Sequence, residues 1–530
     1  MQPTVTISQG KLNGTLQHSR YGRIYSAFLG IPFAEPPINN LRFSNPRPGK
    51  NWNGIRQANR FGNICPQYNG LKILGSEDCL FLNVFTPVVN FTSSSKQYPV
   101  MVWLHGGVFY FGSGSFYGAQ NLLDRDIVLV TINYRLGIFG FLTTGDKASP
   151  GNYGLKDQLL ALKWIQSEIH NFGGDPKQVT LFGESAGAAS ITLHAISEQS
   201  KDLFQKYILQ SGNLLSPWAY RDNKAQKLHL RGIAGLLFCP YLFSKNLVKC
   251  MRRRSMRSIM LINSPFRFIA WTPTNEPNIE GAFLTENPAF LVDRIRDMPF
   301  IAGINRNEGL IVTSFLQRFK FLTTIVKLFS RLIVSFITNF LLSKNENLTE
   351  AVNKFYFNWK VIIGNNKLFM TNATRFLSDA FFFYPQVKML ETLAPRMKNS
   401  AYFYNFAYRG KFSFTNVTTG SNENIGVSHT DELNYLFPAS RVDYKLKSGN
   451  YTEKDDFIVD AMIDLWTSFA TTGKPVSKNL ETPDLWKPFD SKRSNHLMIG
   501  DFNNNTKNSI ILADSFYSER MNFWKKNAPN

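Results

Sequence analysis

The sequence of 530 residues predicts an α/β fold with a mostly parallel central sheet and helices on both faces. Two continuous apolar runs, Tyr98–Leu104 and 126–134, are typical of parallel strands that are covered on both sides. Apolar residues then recur at helical spacing over 155–170, and a third apolar run follows at 178–182. Strand, helix and strand in this order indicate parallel strands joined by right-handed crossovers.

Each of these predicted elements is followed by residues that end it. The run His105-Gly106-Gly107 follows the first strand as a glycine loop, and the turn residues 171–176 end the helix. No internal repeat and no linker rich in glycine, serine or proline divides the chain. We therefore expect one large domain over residues 1–530, although a prior of about 150 residues per domain would suggest three or four.

The composition is that of a globular chain, with 43% apolar and 18% charged residues. The net charge of +21 arises from 59 Lys and Arg against 38 Asp and Glu. Because charged residues usually make up about 25% of a chain, half of them acidic, the charge reflects a deficit of acids rather than an excess of bases. We therefore expect no nucleic-acid partner. No run reaches the roughly 18 apolar residues of a membrane-spanning helix, so no transmembrane segment is expected either.

The stretch 315–344 differs in texture from the rest of the chain. It is strongly apolar and amphipathic, and every charge in it is basic. Its longest uncharged run, 332–343, is too short to span a bilayer. Three interpretations stay open: helices packed on the core, a flap over an apolar substrate cavity, or a helix on a membrane surface, which would be a peripheral membrane contact.

The four cysteines form two couples that are local in sequence, Cys65 with Cys79 and Cys239 with Cys250. Two disulfide-closed loops are one interpretation, and a metal site is the other. Neither a close Cys pair nor clustered histidines accompany them, so no metal is expected. Disulfides would indicate a secreted or lumenal protein, whereas the lack of a signal peptide at the start would indicate a cytoplasmic one. Seven glycosylation sequons fit a glycoprotein but come close to the number expected by chance.

The strongest motif is Gly183-Glu184-Ser185-Ala186-Gly187, directly after the third predicted strand. Glycines two residues before and after a serine relieve crowding where a strand turns sharply into a helix. The helix N-terminus that follows directs its amides at developing negative charge. The pattern predicts Ser185 as a nucleophile. Main-chain amides of Gly107 and Val108, in the glycine loop after the first strand, and of Ala186 are candidates for an oxyanion hole.

Several blocks resemble the type-B carboxylesterases of the carboxylesterase/cholinesterase family, and its insect members in particular. The blocks are 28–37 (Phe-Leu-Gly-Ile-Pro-Phe-Ala-Glu-Pro-Pro), 77–84 (Glu-Asp-Cys-Leu-Phe-Leu-Asn-Val), the oxyanion loop, 174–176, the serine motif and 465–470. The resemblance runs almost end to end. It implies an α/β-hydrolase fold with large loop insertions, hydrolysis of small-molecule esters without a cofactor, and disulfides Cys65 to Cys79 and Cys239 to Cys250.

The resemblance also implies an acid and a histidine that follow the serine in the chain. Glu308 lies in a polar turn after the apolar run 298–304, and His429 lies in a loop that leads into a helix. Such positions carry catalytic groups in this fold class. We expect Ser185, Glu308 and His429 to form a triad. His105 belongs to the oxyanion loop and is expected to be structural, and we expect surface or packing roles for His18, His170, His194, His229 and His496.

Related activities are weighed by where the chain departs from each pattern. The loop between Cys65 and Cys79 holds no tryptophan, so a choline ester is not expected. Juvenile hormone esterases usually carry Gln where this chain has Glu184. Neuroligin-like adhesion proteins lose catalytic residues, and this chain keeps all three. A serine carboxylesterase for esters with an apolar acyl or alcohol part is the first hypothesis, a juvenile hormone esterase-like hydrolase or an adhesion protein the alternatives. The basic cluster Arg252-Arg253-Arg254 with Arg257 is either a solvated loop or a site for acidic surfaces.

Overall fold

The computed structural model describes residues 2–70, 72–91, 96–263, 270–342, 346–438, 451–500 and 509–528. The sequons at Asn450 and Asn504 and the end of the 315–344 stretch lie outside these residues. The chain divides into two compact units. The first comprises Met1–Leu209, Trp218–Pro299 and Trp466–Lys474, and the second comprises Gln210–Pro217, Phe300–Leu465 and Pro475–Asn530. A single domain over 1–530 stays a prediction.

The first unit contains strands of a large sheet in the order β3-β4-β8-β10-β9-β11-β12, a small sheet β1-β2-β5 and the ribbon β6-β7. Strand β9 pairs in parallel with both β10 and β11, whereas β8, β4 and β3 continue antiparallel. The strands are β1 Thr4–Ile7, β2 Gly10–Asn13, β3 Thr15–His18, β4 Ile24–Pro32, β5 Ile55–Gln57, β6 Gln67–Asn69, β7 Lys72–Leu74, β8 Phe81–Thr86, β9 Tyr98–Leu104, β10 Val128–Ile132, β11 Gly174–Glu184 and β12 Lys206–Gln210.

Helices of the first unit cover the parallel strands, as the continuous burial of β9 and β10 requires. They are α1 Gly137–Phe141, α2 Tyr153–Glu168, α3 Ala186–Ile196, α4 Asn223–Leu236, α5 Ser244–Arg253 and α6 Met256–Ile262. Short 3₁₀ turns lie at Asn39–Leu41, Gly114–Phe116, Leu122–Asp124, Ile169–Phe172, Glu198–Ser200 and Pro288–Arg294. The predicted strand-helix-strand order is confirmed as β10, α2 and β11, and β11 begins four residues earlier than the apolar run that predicted it.

The second unit contains strands β13 to β16 in that order, the first three parallel and the last antiparallel. They are β13 Phe300–Asn305, β14 Ala401–Phe406, β15 His496–Ile499 and β16 Ile510–Ala513. The helices are α7 Leu310–Arg318, α8 Lys320–Leu328, α9 Ser330–Phe336, α10 Glu346–Tyr356, α11 Trp359–Ile363, α12 Asn366–Ser378, α13 Tyr384–Leu393, α14 Phe414–Thr419, α15 Leu433–Leu436, α16 Glu453–Thr472 and α17 Ser518–Asn527, with π turns at Ile337–Leu341 and Asp379–Phe383. The residues 466–472 of α16 belong to the first unit. The α/β-hydrolase fold, with a mostly parallel sheet flanked by helices, is as predicted.

Both pairs of cysteines form disulfides, as the family resemblance implies. The Cα atoms are 5.0 Å apart in Cys65–Cys79 and 5.6 Å apart in Cys239–Cys250. Each bridge closes a short loop, since the paired cysteines are 14 and 11 positions apart in the sequence. The four cysteines therefore close two loops through disulfides and do not form the alternative, a metal site.

The 315–344 stretch folds as most of α7, then α8, α9 and a π turn. Thr323 and Val334 are buried, but Phe321 is 63% and Leu328 76% exposed. No single helix in the described part of the chain is long and apolar enough to cross a membrane. The segments Phe321–Leu328 and Ser330–Asn339, bent by 71°, meet those limits of length and composition only when they are taken together.

Candidate active site

Ser185 stands at the sharp turn between the end of β11 and the start of α3. Its backbone has φ +54° and ψ −119°, a conformation that is strained for a residue with a side chain. The flanking glycines make the turn possible. A Cβ on Gly183 would lie 2.6 Å from the carbonyl oxygen of Leu104, and a Cβ on Gly187 would lie only 1.9 Å from that same oxygen. The helix can therefore start against the end of β9 only because both positions lack a side chain.

The turn holds the serine side chain at the N-terminus of a buried helix. Ser185 is 5% exposed, and all but the last residue of α3 is buried. The first amides of a helix have no acceptor within it, and the helix dipole adds a partial positive charge there. The amide of Ala186 is the first of this helix. A negative charge that develops beside Ser185 would therefore be stabilised at this end of α3.

The glycine loop after β9 runs directly past this serine. A Cβ placed on Gly106 would lie 3.2 Å from the Cβ of Ser185. Gly107, Val108 and Phe109 have positive φ values of 103°, 55° and 61° in succession. The Gly107 carbonyl accepts hydrogen bonds from the amides of Tyr110 and Phe111, at 2.8 and 3.1 Å. Within the described residues, the amides of Gly107 and Val108 donate to no backbone acceptor, as candidate oxyanion donors require.

His105 packs against this loop and is not accessible to act as a base. Its ring is completely buried, stacks on Tyr134 at 4.3 Å between ring centroids, and its Nδ1 lies 2.9 Å from the Gly106 carbonyl oxygen. Burial lowers the pKa of His105 to about 4, so the ring is neutral at neutral pH. The Tyr134 hydroxyl donates to the His105 carbonyl oxygen at 2.7 Å. This geometry agrees with the structural role expected for His105.

In the second unit, Glu308 and His429 form a hydrogen-bonded pair. The distance from His429 Nδ1 to Glu308 Oε2 is 2.6 Å, and the two residues are 2% and 0% exposed. The other carboxylate oxygen, Oε1, accepts from the Asn305 amide at 2.7 Å and from the Ser211 hydroxyl at 2.5 Å. Glu308 is therefore fixed on both sides. An imidazole that donates from Nδ1 to a carboxylate keeps Nε2 as the nitrogen that can accept a proton.

Residues around His429 hold its loop in place. The ring of Phe382 packs on the His429 ring with centroids 4.7 Å apart. Two residues further along the chain, the buried Asp431 accepts from the Ser428 amide at 2.8 Å, the Ser413 hydroxyl at 2.7 Å and the Phe414 amide at 2.7 Å. Burial raises the pKa of Asp431 to about 6, although these hydrogen bonds oppose the shift. Asp431 thus ties the start of α14 to the residue before the histidine.

Sequence reasoning missed Ser211 and Asp431. Ser211 lies just after β12 with φ +57°, and nothing in its neighbouring residues marks it as the partner of a glutamate 97 positions later. Asp431 offered no clear local signal, because all residues of 428–432 are polar and nothing in them marks this acid as buried. The successive positive φ values of Val108 and Phe109 were not predicted either, since both residue types normally avoid them.

The contacts of His194 and of the basic cluster bear on two further expectations. His194 is fully buried, with Nδ1 2.7 Å from the Ser200 hydroxyl and Nε2 3.0 Å from Gln158 Oε1, as a packing residue should be. In the basic cluster, Arg252 donates to the carbonyl oxygen of Arg42, and Arg254 donates to that of Phe238. Two of the four guanidinium groups therefore donate to carbonyl oxygens of the protein, and the cluster lies at the end of α5 and the start of α6 rather than in the expected solvated loop.

Comparison with known proteins agrees with the fold and with these motifs. The Carboxylesterase family profile matches residues 1–524. The chain is 38% identical to Esterase FE4 of Myzus persicae over 92% of this chain and 86% of the relative. It is 34% identical to a carboxylic ester hydrolase of Bombus ignitus (98% and 93%) and 32% identical to the juvenile hormone esterase of Tribolium castaneum (99% and 93%). The chain therefore belongs to the carboxylesterase family and is a carboxylic ester hydrolase.

Proposed function

We propose that the chain is a serine carboxylesterase in which Ser185 is the nucleophile, His429 the general base and acid, and Glu308 the group that orients the histidine. The observation that carries the proposal is the buried 2.6 Å hydrogen bond between Glu308 and His429 Nδ1. Such a bond selects the tautomer whose Nε2 takes a proton. The strained backbone of Ser185 at a helix N-terminus supports its part as nucleophile.

The reaction begins when His429 Nε2 takes the Ser185 hydroxyl proton and Oγ attacks the ester carbonyl carbon. The resulting oxyanion is held by the amides of Gly107, Val108 and Ala186, and Glu308 stabilises the imidazolium. When the C–O bond to the alcohol breaks, His429 protonates the leaving oxygen. Water then attacks the acyl-enzyme with the same histidine as base, which releases the carboxylic acid and restores the serine. Each amide donor is worth about 10² to 10³ in rate.

Apolar groups beside the proposed reacting residues favour esters with an apolar acyl or alcohol part. The side chain of Phe111 flanks the oxyanion loop, because its ring comes within 3.1 Å of where a Cβ on Gly107 would stand. Phe382 packs on the imidazole of His429. Removing one methylene from a substrate group that an enzyme binds in apolar surroundings changes kcat/KM by about 10- to 200-fold. We expect p-nitrophenyl butyrate or hexanoate to be hydrolysed faster than the acetate.

A juvenile hormone esterase-like activity is the alternative that the 32% identity to the Tribolium enzyme favours. Glu184 argues against it, since such enzymes usually carry Gln before the nucleophile. Steady hydrolysis of juvenile hormone with a kcat/KM well above that for simple aryl esters would replace the general assignment with this one. Hydrolysis of neither substrate would contradict both assignments.

The decisive test uses the purified wild-type chain and three variants with p-nitrophenyl butyrate. Ser185→Ala should abolish turnover, and Glu308→Gln should lower kcat by about 10⁴-fold because the imidazole loses its orienting carboxylate. Ser190→Ala is the matched control. Ser190 is a buried serine of the same helix whose hydroxyl donates to the Ala186 carbonyl oxygen at 2.9 Å and accepts from Gln158 Nε2 at 3.2 Å, so its loss should cost about 1 to 3 kcal/mol of stability and leave the reaction intact. Near-normal activity of Ser185→Ala would refute the proposal.

A further inference from the structure

Helix α8 exposes its apolar side, which a helix of a globular protein normally buries. Phe321, Ile325, Leu328 and Phe329 are 63%, 48%, 76% and 49% exposed. Their positions i, i+4, i+7 and i+8 form one stripe along the helix. The residue that turns inward is Thr323, which is 3% exposed and donates its hydroxyl to the Leu316 carbonyl oxygen at 3.1 Å. The helix is thus anchored by a polar residue and presents its apolar stripe outward.

The stripe belongs to a larger apolar surface. On the N-terminal side, the rings of Phe315, Phe319 and Phe321 follow each other with centroids 5.8 and 6.4 Å apart. On the C-terminal side, beyond the 71° bend between the two helices, Leu332 of α9 is 68% exposed. We call this surface, carried by 315–332, the α8 surface.

A second exposed helix borders the α8 surface. Lys327 donates from Nζ to the carbonyl oxygen of Gly364 at 2.5 Å, which holds the end of α11 beside α8. On α11, Ile363 is 71% and Trp359 66% exposed. Monomeric proteins rarely expose several large apolar side chains so close together, and larger patches usually mark interaction sites.

The charges of this region have one sign. From 309 to 345 the chain contains no Asp or Glu, while it contains five Lys or Arg residues. Among them, Arg318 is exposed and stacks over the Phe319 ring at 5.7 Å, and Arg331 is exposed on α9 next to Leu332. An apolar stripe whose own segment carries only basic charges is complementary to a surface with a hydrocarbon interior and an anionic rim.

We propose that the α8 surface docks on an anionic lipid bilayer, with α8 lying in the plane of the interface. The aromatic and aliphatic side chains of the stripe would enter the boundary between headgroups and acyl chains, and Arg318 and Arg331 would contact lipid phosphates. The helix lies on the membrane and does not cross it, because its nine residues are only about 13 Å long, against a hydrocarbon thickness of about 30 Å.

The test is co-sedimentation of the purified full-length chain with phosphatidylcholine vesicles, with and without phosphatidylglycerol. We expect binding to the mixed vesicles that weakens at least about tenfold without phosphatidylglycerol or at high salt. The double variant Phe321→Glu with Leu328→Glu should lose binding at least about tenfold, and Arg318→Gln with Arg331→Gln should lose most of the preference for phosphatidylglycerol. The matched control is Phe290→Glu, a substitution of a 76% exposed phenylalanine in the first unit, which should bind as wild type does.

Several results would overturn the proposal. They are failure of the wild-type chain to bind the mixed vesicles, equal binding to both kinds of vesicle, or an equal loss in Phe290→Glu. Analytical ultracentrifugation adds a further one. If the wild-type chain is a dimer that the Phe321→Glu and Leu328→Glu changes dissociate, and it does not bind vesicles, a second copy covers the α8 surface instead of lipid. Unchanged circular dichroism and thermal midpoints would show that each variant is folded.

Discussion

Gly187, two residues after the proposed nucleophile Ser185, offers the sharpest structural prediction. Gly187 is in the first turn of α3, where alanine would normally be the better helix former by about 1 kcal/mol. In this helix the added methyl would stand 1.9 Å from the carbonyl oxygen of Leu104, 2.8 Å from its carbonyl carbon and 3.0 Å from the carbonyl oxygen of His105. All three are backbone atoms at the end of β9 or in the loop that follows it, so no side chain can rotate away.

The magnitude follows from how far these atoms must move. An ordinary contact needs about 3.4 Å, so α3 and β9 must separate by more than about 1 Å. Overpacking of a fixed interior costs about 1 to 3 kcal/mol, and the upper end applies because both elements are buried. After the helix-propensity gain, we expect Gly187→Ala to lower the free energy of unfolding by about 2 kcal/mol. The same shift would displace Ser185 from its neighbouring amides, and such a displacement costs about 100-fold in rate.

The assay compares urea unfolding midpoints and kcat/KM for wild type, Gly187→Ala and Gly232→Ala. Gly232 lies in the middle of α4, and a Cβ there would meet nothing within 4 Å. The control should therefore be stabilised by about 0.5 to 1 kcal/mol with unchanged activity. If Gly187→Ala behaved like the control, the crowding argument for the serine turn would be wrong.

Two further predictions concern buried titratable groups, each read as the difference between wild type and a variant across pH. Burial raises the pKa of Asp431 to about 6 from an unfolded value of 3.8. Its contribution to the free energy of unfolding therefore falls by about 3 kcal/mol as pH rises from 4 through 6. The Asp431→Asn variant should lack this pH dependence. Burial lowers the pKa of His194 to about 3 from an unfolded value of 6.5. The free energy of unfolding therefore decreases as pH falls below 6.5, by about 2 kcal/mol at pH 5. The His194→Asn variant should not show this loss. Urea titrations at several pH values measure both, and parallel pH curves for a variant and wild type would contradict the corresponding assignment.

The sequence predicted those features that depend on local pattern. Strands β9 and β10 were found because a continuously apolar run needs cover on both faces, and both are entirely or almost entirely buried. The serine turn was predicted because its glycines leave room for the neighbouring strand. A Cβ at either glycine would lie too close to the carbonyl oxygen of Leu104. The disulfide pairing came from family resemblance, since sequence positions alone do not fix connectivity.

What escaped prediction depends on residues far apart in the chain. The hydrogen bond from Ser211 to Glu308 joins residues 97 positions apart. The hydrogen bond from Ser413 to Asp431 joins the residue before α14 to an acid 18 positions later. Periodicity could not predict which way α8 would face. It indicates that one side of a helix is apolar, but the direction of that side is decided by what packs against it, and here Thr323 faces inward.

The measurement that tests the central assignment most directly is the mapping of a covalent adduct. The purified chain is treated with an organophosphate, digested and sequenced by mass spectrometry. An activated serine should form one adduct, on Ser185, with loss of esterase activity in proportion to labelling, and the Ser185→Ala chain should form none. An adduct on another serine with the same loss of activity, or full activity of a chain labelled at Ser185, would contradict the assignment.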